Sequence, residues 1–221
     1  MRRIRLLRRF PLPTLLCIWA ATVVVMLYAA VALADPAWYV VRSGDNLHAI
    51  ARRFGTTAEM IRRDNPTSGD LIHPGLRLAL ERPFAGTPAA DLRWQPPYRG
   101  ATRVVDDFGP REQDRIIMPR TGVKVALDIG SVVVAPAHGV IRYLSRMDGL
   151  GTIAIIDHGA GRHSVLGPLE PDAVPWQSGQ ALWQGDVLGR TARLEDSDLP
   201  PHLHVELRID GKAVHPRQLL R

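Results

Sequence analysis

The chain of 221 residues has one cysteine, Cys17, and few aromatic residues, which make up 6% of it. A single cysteine excludes a disulfide framework, so the folded parts must be held together by their hydrophobic cores. A marked charge excess is also missing once the N-terminus is set aside. The chain has 28 basic and 22 acidic residues, and five of the arginines precede Asp35. The remaining charges nearly balance, which argues against a nucleic-acid partner.

Long apolar runs are equally scarce, and the one present lies near the start, from about Leu15 to Ala34. It follows a basic segment that has no acidic residue, and it ends with small residues where a signal peptidase would cut. Its length also suits an uncleaved anchor helix. We therefore predict a signal peptide or membrane anchor over residues 1–34. The rest would be exported to the periplasm or cell envelope and would touch the membrane only through an uncleaved segment.

Prolines divide the exported part into two folded units. Pro83, Pro88, Pro96 and Pro97 fall in a stretch that is rich in glycine and alanine, which is typical of a linker. We predict a first domain over residues 38–81, a linker and lead-in over 82–114, and a second domain over 115–221.

The first unit shows the pattern strand, helix, helix, strand. Residues 38–41 are aromatic and β-branched, and apolar residues then recur at helical spacing up to Gly55. Asp45 or Ser43 is the expected cap of the first helix, and Thr57 opens a second helix that stops near Asn65. A short strand over 76–80 completes a small βααβ unit.

Two segments of this unit, residues 39–47 and 71–75, resemble the corresponding motifs of a LysM domain. The resemblance implies binding to glycan that contains N-acetylglucosamine, here peptidoglycan. It implies a groove between the turn after the first strand and the loop before the last strand. The groove residues would be Ser43, Gly44, Asp45, Asn46, Leu71, Ile72 and His73. The alternative is that Asp45 only caps a helix and that Leu71 and Ile72 only pack.

The second unit consists of short strand-like runs separated by glycine turns, with little helical periodicity. This pattern predicts an all-β domain of sandwich or barrel type. Near its end, Pro201-His202-Leu203-His204-Val205-Glu206 places two histidines on one face of a strand, an arrangement that suits a metal site.

Five ordered segments of the second unit resemble the lysostaphin/LytM-type peptidase domain. They are residues 128–129, 134–140, 156–159, 185–189 and 201–206. Active members of that family are zinc endopeptidases that cut peptidoglycan. By this resemblance Asp128 and His204 match two zinc ligands and His202 matches one catalytic histidine. Lys124 stands where the third ligand belongs, and Pro168 stands where the second catalytic histidine belongs.

These two replacements predict a catalytically inactive domain without a cofactor. A charged lysine has no lone pair for zinc, and a proline side chain cannot transfer a proton. As a hypothesis, the Lys124 ammonium pairs with Asp128; the alternative is a solvent-facing lysine. His138 and His215 are expected to be turn or surface residues, and His158 belongs to an Asp-His-Gly turn. His163 lies five residues before Pro168, so on a regular strand it would face the other way.

Three functions remain open at this stage. A LysM domain before a degenerate peptidase domain is similar to the EnvC/NlpD-type activators of cell-wall amidases, which implies a peptidoglycan-binding regulator with an amidase or another hydrolase as its partner. The first alternative is an active zinc endopeptidase that recruits an unusual ligand. The second is a passive wall-binding scaffold. Fold alone does not decide among them.

Overall fold

A computed structural model of the chain describes residues 37–66, 71–81, 83–84, 92–100, 102–113, 116–170, 176–194 and 197–221. The predicted signal or anchor segment lies outside these ranges, as do residues 82, 85–91, 101 and 114 of the predicted linker and lead-in. No helix within the described ranges is long and apolar enough to cross a membrane.

The first unit has the predicted βααβ order. Its elements are β1 (Ala37–Val40), α1 (Leu47–Arg53), α2 (Ala58–Asp64) and β2 (Arg77–Leu80). The two strands pair antiparallel, with Trp38 opposite Ala79. The apolar residues at helical spacing, Leu47, Ile50, Ala51 and Phe54, are all buried, which confirms the helical face expected from the sequence.

Side-chain caps define where the two helices begin. The Thr57 hydroxyl accepts a hydrogen bond from the Met60 backbone N–H at 3.1 Å, as predicted for α2. The cap of α1 differs from the prediction: it is Asn46, whose Oδ1 accepts from the Ala49 N–H at 2.8 Å. Asp45 does not cap the helix because its carboxylate accepts hydrogen bonds from the Tyr39 hydroxyl and the Arg42 N–H, both at 2.7 Å.

The second unit is all-β among its described residues apart from one short 3₁₀ helix, Arg217–Leu219, which confirms the predicted fold class. Its strands are β3 (Val104–Asp106), β4 (Gly109–Gln113), β5 (Ile116–Arg120), β6 (Val123–Ala126), β7 (Val132–Val134), β8 (Gly139–Met147), β9 (Gly151–Asp157), β10 (Arg162–Leu169), β11 (Ala181–Leu182), β12 (Val187–Arg190), β13 (His202–Ile209) and β14 (Lys212–Val214).

Eight of these strands form one antiparallel sheet with the order β11-β8-β9-β10-β13-β6-β3, and β14 pairs with β13. The strand pairs β4-β5 and β7-β12 form separate two-stranded sheets. Strand β3, which falls in the predicted lead-in, thus belongs to the main sheet. Alternation along β13 sends Leu203, Val205 and Leu207 into the hydrophobic core. The intervening residues, from His202 to Arg208, face the other side of the sheet.

The two units share a hydrophobic core. Phe84, Val140 and Ala181 are buried in the same cluster as the core of the βααβ unit, and Trp183 packs against it. The Trp38 N–H donates to the Gly179 carbonyl at 2.9 Å. This bond and the bridge between Trp38 and Gln180 place β1 next to β11 at the edge of the main sheet. The described residues on either side of the predicted linker therefore pack against each other.

Candidate functional site

The second histidine of the pair, His204, lies in the middle of a cross-strand row. Gly167 on β10 and Lys124 on β6 are its direct partners on either side. Directly opposed residues point to the same face of a sheet, so the Lys124 and His204 side chains share that face. His202 and Glu206, two positions away along β13, lie on it as well. The structure thus brings together the predicted residues Lys124, His202 and His204.

The Lys124 ammonium lies 3.7 Å from the carboxylate of Asp106 on the neighbouring strand β3. Arg120 also forms an ion pair with Asp106, so this carboxylate sits between two cations. Asp128 is exposed, just beyond the end of β6, and its backbone carbonyl accepts a hydrogen bond from the Thr191 hydroxyl at 2.6 Å. The pairing of Lys124 with Asp128 stays a prediction.

His202 is buried, with 4% of its surface exposed. Its Nδ1 lies 2.8 Å from the Pro200 carbonyl, which can only accept, so Nδ1 carries the proton. Burial lowers the pKa of His202 below its usual value, and Lys124 and His204 lower it further, against the Pro200 hydrogen bond, which raises it. His202 is therefore expected to be neutral at pH 7.

Pro168, the predicted substitute for a catalytic histidine, lies next to His202. Both residues line a pocket of about 30 Å³, together with residues 192–194, 197 and 199–201. Leu194 and Leu199 give this pocket an apolar wall, and Arg193 contributes the positive charge among its lining residues. The Pro168 side chain in this pocket cannot serve as a proton acceptor or donor.

His204 is held by Glu206, a residue to which the sequence analysis gave no role. The His204 Nε2 lies 3.2 Å from Glu206 Oε2, and the Thr121 hydroxyl donates to the same oxygen at 2.6 Å. Arg208 donates to the other oxygen. Burial by itself raises the pKa of Glu206, but these partners outweigh it and the pKa lies below its usual value. The i, i+2 spacing after His204 is the signal that could have identified Glu206.

The donors around His204 do not fit a zinc site. A proton on Nε2, donated to Glu206, leaves Nδ1 with a lone pair, and Nδ1 has no hydrogen-bond partner. Within the described ranges, however, no three His, Cys, Asp or Glu residues stand close enough to hold a metal ion. Lys124 occupies the opposing position in the row, and an ammonium group cannot ligate a cation.

The remaining histidines have structural surroundings. His158 is 2% exposed, and its ring joins the His138 carbonyl at 2.7 Å and the Ser164 hydroxyl at 2.8 Å. Burial lowers the pKa of His158 to about 4. His163 lies 3.9 Å from Asp157, and His215 lies 3.5 Å from Asp107. Each of these histidines thus has contacts that explain its position without a metal.

The residues predicted to bind glycan lie on two neighbouring loops of the βααβ unit. The Gly75 N–H donates to the Val41 carbonyl at 2.8 Å and thereby ties the loop of residues 71–76 to the end of β1. Leu71 is 88% exposed, so it does not pack in the core. Ser43, Gly44, Asn46 and His73 are also exposed, whereas Asp45 and Ile72 are half-buried.

Comparison with protein families gives two matches in the order expected from the sequence. Residues 39–80 match the LysM domain, and residues 118–216 match peptidase family M23. The second match contains Lys124, Asp128, Pro168, His202 and His204.

The curated relatives align with only part of their length. An uncharacterized metalloprotease from Haemophilus influenzae is 29% identical over 124 residues, which is 54% of this chain and 26% of the relative. The DD-carboxypeptidase/endopeptidase Mpg from Neisseria meningitidis is 32% identical over 117 residues, 52% of this chain and 26% of the relative. The chain thus spans about a quarter of either protein.

Among solved structures, a chain of the SpoIIQ–SpoIIIAH pore-forming complex superposes with a TM-score of 0.50 at 21% identity. The match covers 58% of this chain and 91% of that chain. At this identity the likeness concerns the fold alone. Together with the two family matches, it leads to one conclusion: the chain carries a LysM domain followed by a domain of peptidase family M23.

Proposed function

We propose that this protein is an exported peptidoglycan-binding regulator of cell-wall hydrolases whose own M23 domain does not hydrolyse. The LysM domain holds the glycan strand, and the M23 domain presents its groove to a hydrolase such as an amidase. The observation that supports this proposal most directly is the position of Lys124. It pairs with His204 across the strands, and by the resemblance it occupies the position of the third metal ligand.

The surroundings of His202 support the same proposal. Hydrolysis by a zinc enzyme needs an open metal site with three protein ligands and groups that move protons. Pro168 contributes no such group beside His202. The pocket beside His202 is small and carries Arg193 in its lining, which offers a positive charge to an acidic group of a partner protein.

An active endopeptidase is the second candidate, and two observations favour it. Both curated relatives carry names of metal-dependent or peptide-cleaving enzymes. The buried Nδ1 atom of His204 has no hydrogen-bond partner and could ligate a metal. Such a site would need a further ligand in place of Lys124.

Three measurements on the purified full chain separate these functions. We expect the protein to contain no stoichiometric zinc and to release no peptides from purified sacculi by itself. A periplasmic amidase should release peptides faster with the protein than without it. Stoichiometric zinc with sacculus digestion would establish the endopeptidase instead. Binding to sacculi without stimulation of any amidase tested would leave a passive scaffold.

A matched pair of variants tests the role of Lys124 directly. Lys124→His with Pro168→His restores the groups that the family uses, and we expect this double variant to bind zinc more tightly than the parent. Lys124→Arg keeps the positive charge and is the control, since it should bind no more zinc than the parent. Equal zinc content in all three proteins would contradict the assignment of Lys124 to the ligand position.

A further inference from the structure

We propose that Asp186 and Trp183 of the M23 domain are positioning residues for the glycan-binding loop of the LysM domain. This inference rests on the proposed glycan binding. Two series of contacts start in the M23 domain and meet at the carboxylate of Asp45, in the loop of residues 42–46.

The first series of contacts passes through Arg42. The Asp186 carboxylate accepts two hydrogen bonds from the Arg42 guanidinium, both at 2.6 Å, and its Oδ2 also accepts from the Trp183 N–H at 2.7 Å. The Arg42 backbone N–H in turn donates to Asp45 at 2.7 Å. Two parallel hydrogen bonds fix the plane of a guanidinium group, so Asp186 restrains the residue that closes the loop.

The second series of contacts passes through Tyr39. The Tyr39 ring stacks on Trp183 with their centroids 5.7 Å apart and their planes 5° from parallel. The Tyr39 hydroxyl donates to the Asp45 carboxylate at 2.7 Å. The Arg53 guanidinium lies 3.3 Å from the centroid of the Trp183 ring. Trp183 thus contacts two groups of the LysM domain, the aromatic ring of Tyr39 and the guanidinium of Arg53.

The orientation of the Asp45 carboxylate therefore depends on both series of contacts. Its Oδ2 accepts from Tyr39 and from Arg42. Asp186 holds Arg42, while Trp183 stacks on Tyr39 and also lies 5.0 Å from the Arg42 guanidinium. The adjacent Ser43 and Gly44 are exposed, so the contacts of Arg42 and Asp45 at the ends of the loop determine its shape. A loop held in its binding conformation binds more tightly because less ordering is needed.

The test measures the affinity of the full chain for an N-acetylglucosamine tetramer by calorimetry, at a temperature well below unfolding. Asp186→Asn keeps the side-chain shape but removes the charge, and we expect it to weaken binding about fivefold or more. Asp186→Glu restores the carboxylate and should recover most of the affinity. Glu59→Ala, which removes an exposed ion-pair partner of Arg62 within the LysM domain, is the matched control and should bind like the parent.

Hydrogen exchange supplies a readout that a purely structural role would not produce. The tetramer should slow amide exchange in residues 181–187 of the parent, and this effect should shrink in Asp186→Asn and in Trp183→Leu, because coupling between sites is reciprocal. If the parent binds the tetramer and both variants bind it equally well, the positioning role is overturned. If the parent itself does not bind, the proposed function fails instead.

Discussion

At the scale of single residues, the buried carboxylate of Glu206 is stabilised because it has several partners. Glu206 is 3% exposed, yet Thr121, His204 and Arg208 all donate to its carboxylate. A buried carboxylate without such partners would be costly. Glu206 therefore orients His204 by accepting from its Nε2, and this leaves the buried Nδ1 without a proton.

His158 makes the stability of the M23 domain depend on pH. Its pKa is about 4 in the folded protein and about 6.5 in an unfolded chain. Between these values the unfolded chain binds the extra proton, so stability is full above pH 6.5 and falls as the pH drops towards 4. We expect a loss of roughly 3 kcal/mol at most, measured by urea unfolding at several pH values.

The variant His158→Gln is the control for this pH dependence. It removes the titrating group, so stability should fall less between pH 6.5 and 4 than in the parent. His138, His163 and His202 also have lowered pKa values because of burial, so the dependence should shrink rather than vanish. An unchanged slope in the variant would contradict the assignment to His158.

Asn65 joins the end of α2 to β2 in the LysM domain. Its amide nitrogen donates to the carbonyls of Ile61 at 2.7 Å and Ala79 at 2.9 Å, and its oxygen accepts from the Ala79 N–H at 2.7 Å. Asn65→Ala should lower the free energy of unfolding by about 2 kcal/mol, because it leaves backbone groups without partners. Asn46→Ala, which removes one helix cap, should cost only about 1 kcal/mol; a smaller effect for Asn65 would contradict this.

At the scale of elements, the two loops of the LysM domain are held by backbone hydrogen bonds and leave their side chains to solvent. The Val41 N–H donates to the Leu76 carbonyl at 2.8 Å, and the Gly75 N–H donates to the Val41 carbonyl. These bonds fix the loops at the end of β1, so the exposed side chains of Leu71 and His73 are available to a ligand without a change in the core.

Leu71 is the side chain to test in these loops. Because it is 88% exposed, Leu71→Ala should leave the melting temperature unchanged. If it covers the glycan, its removal should weaken binding of an N-acetylglucosamine tetramer roughly fivefold, about 1 kcal/mol. Val104→Ala, at a residue of β3 that is 47% exposed, is the control and should bind like the parent. Equal affinity of all three proteins would remove Leu71 from the glycan site.

At the scale of the whole molecule, the LysM and M23 domains share buried surface rather than being joined only by a linker. Phe84, Val140 and Ala181 lie in the LysM core cluster, and Phe54 and Phe84 meet with their ring centroids 6.1 Å apart. Removing the M23 domain would expose apolar residues of the LysM core to water, so the stability of each domain depends on the other.

This shared core predicts a single unfolding transition for the LysM and M23 domains together. In scanning calorimetry the calorimetric and van't Hoff enthalpies should agree, as expected for one cooperative unit. Trp183→Leu should lower the temperature of that one transition. Two separate transitions in the parent protein, one for each domain, would show that the contact does not couple them.

The local features of both domains could be predicted from the sequence because they depend on neighbouring residues. The helical spacing of Leu47, Ile50 and Phe54, the Thr57 cap and the alternation along residues 202–208 all act over a few positions. The resemblance assigns Lys124 to a ligand position through its spacing from Asp128, and this assignment stays a prediction. The cap of α1 was predicted wrongly because Tyr39 and Arg42 compete for Asp45.

The sequence alone therefore determined the two domain types and their order, and it predicted an incomplete set of zinc ligands. The tertiary structure decided that Asp106 lies beside Lys124, that Glu206 holds His204, and that Asp186 and Trp183 contact the LysM domain. These contacts join residues on different strands or in different domains. No periodicity or local spacing encodes such pairs, because sheet order and domain packing bring them together only in the folded chain.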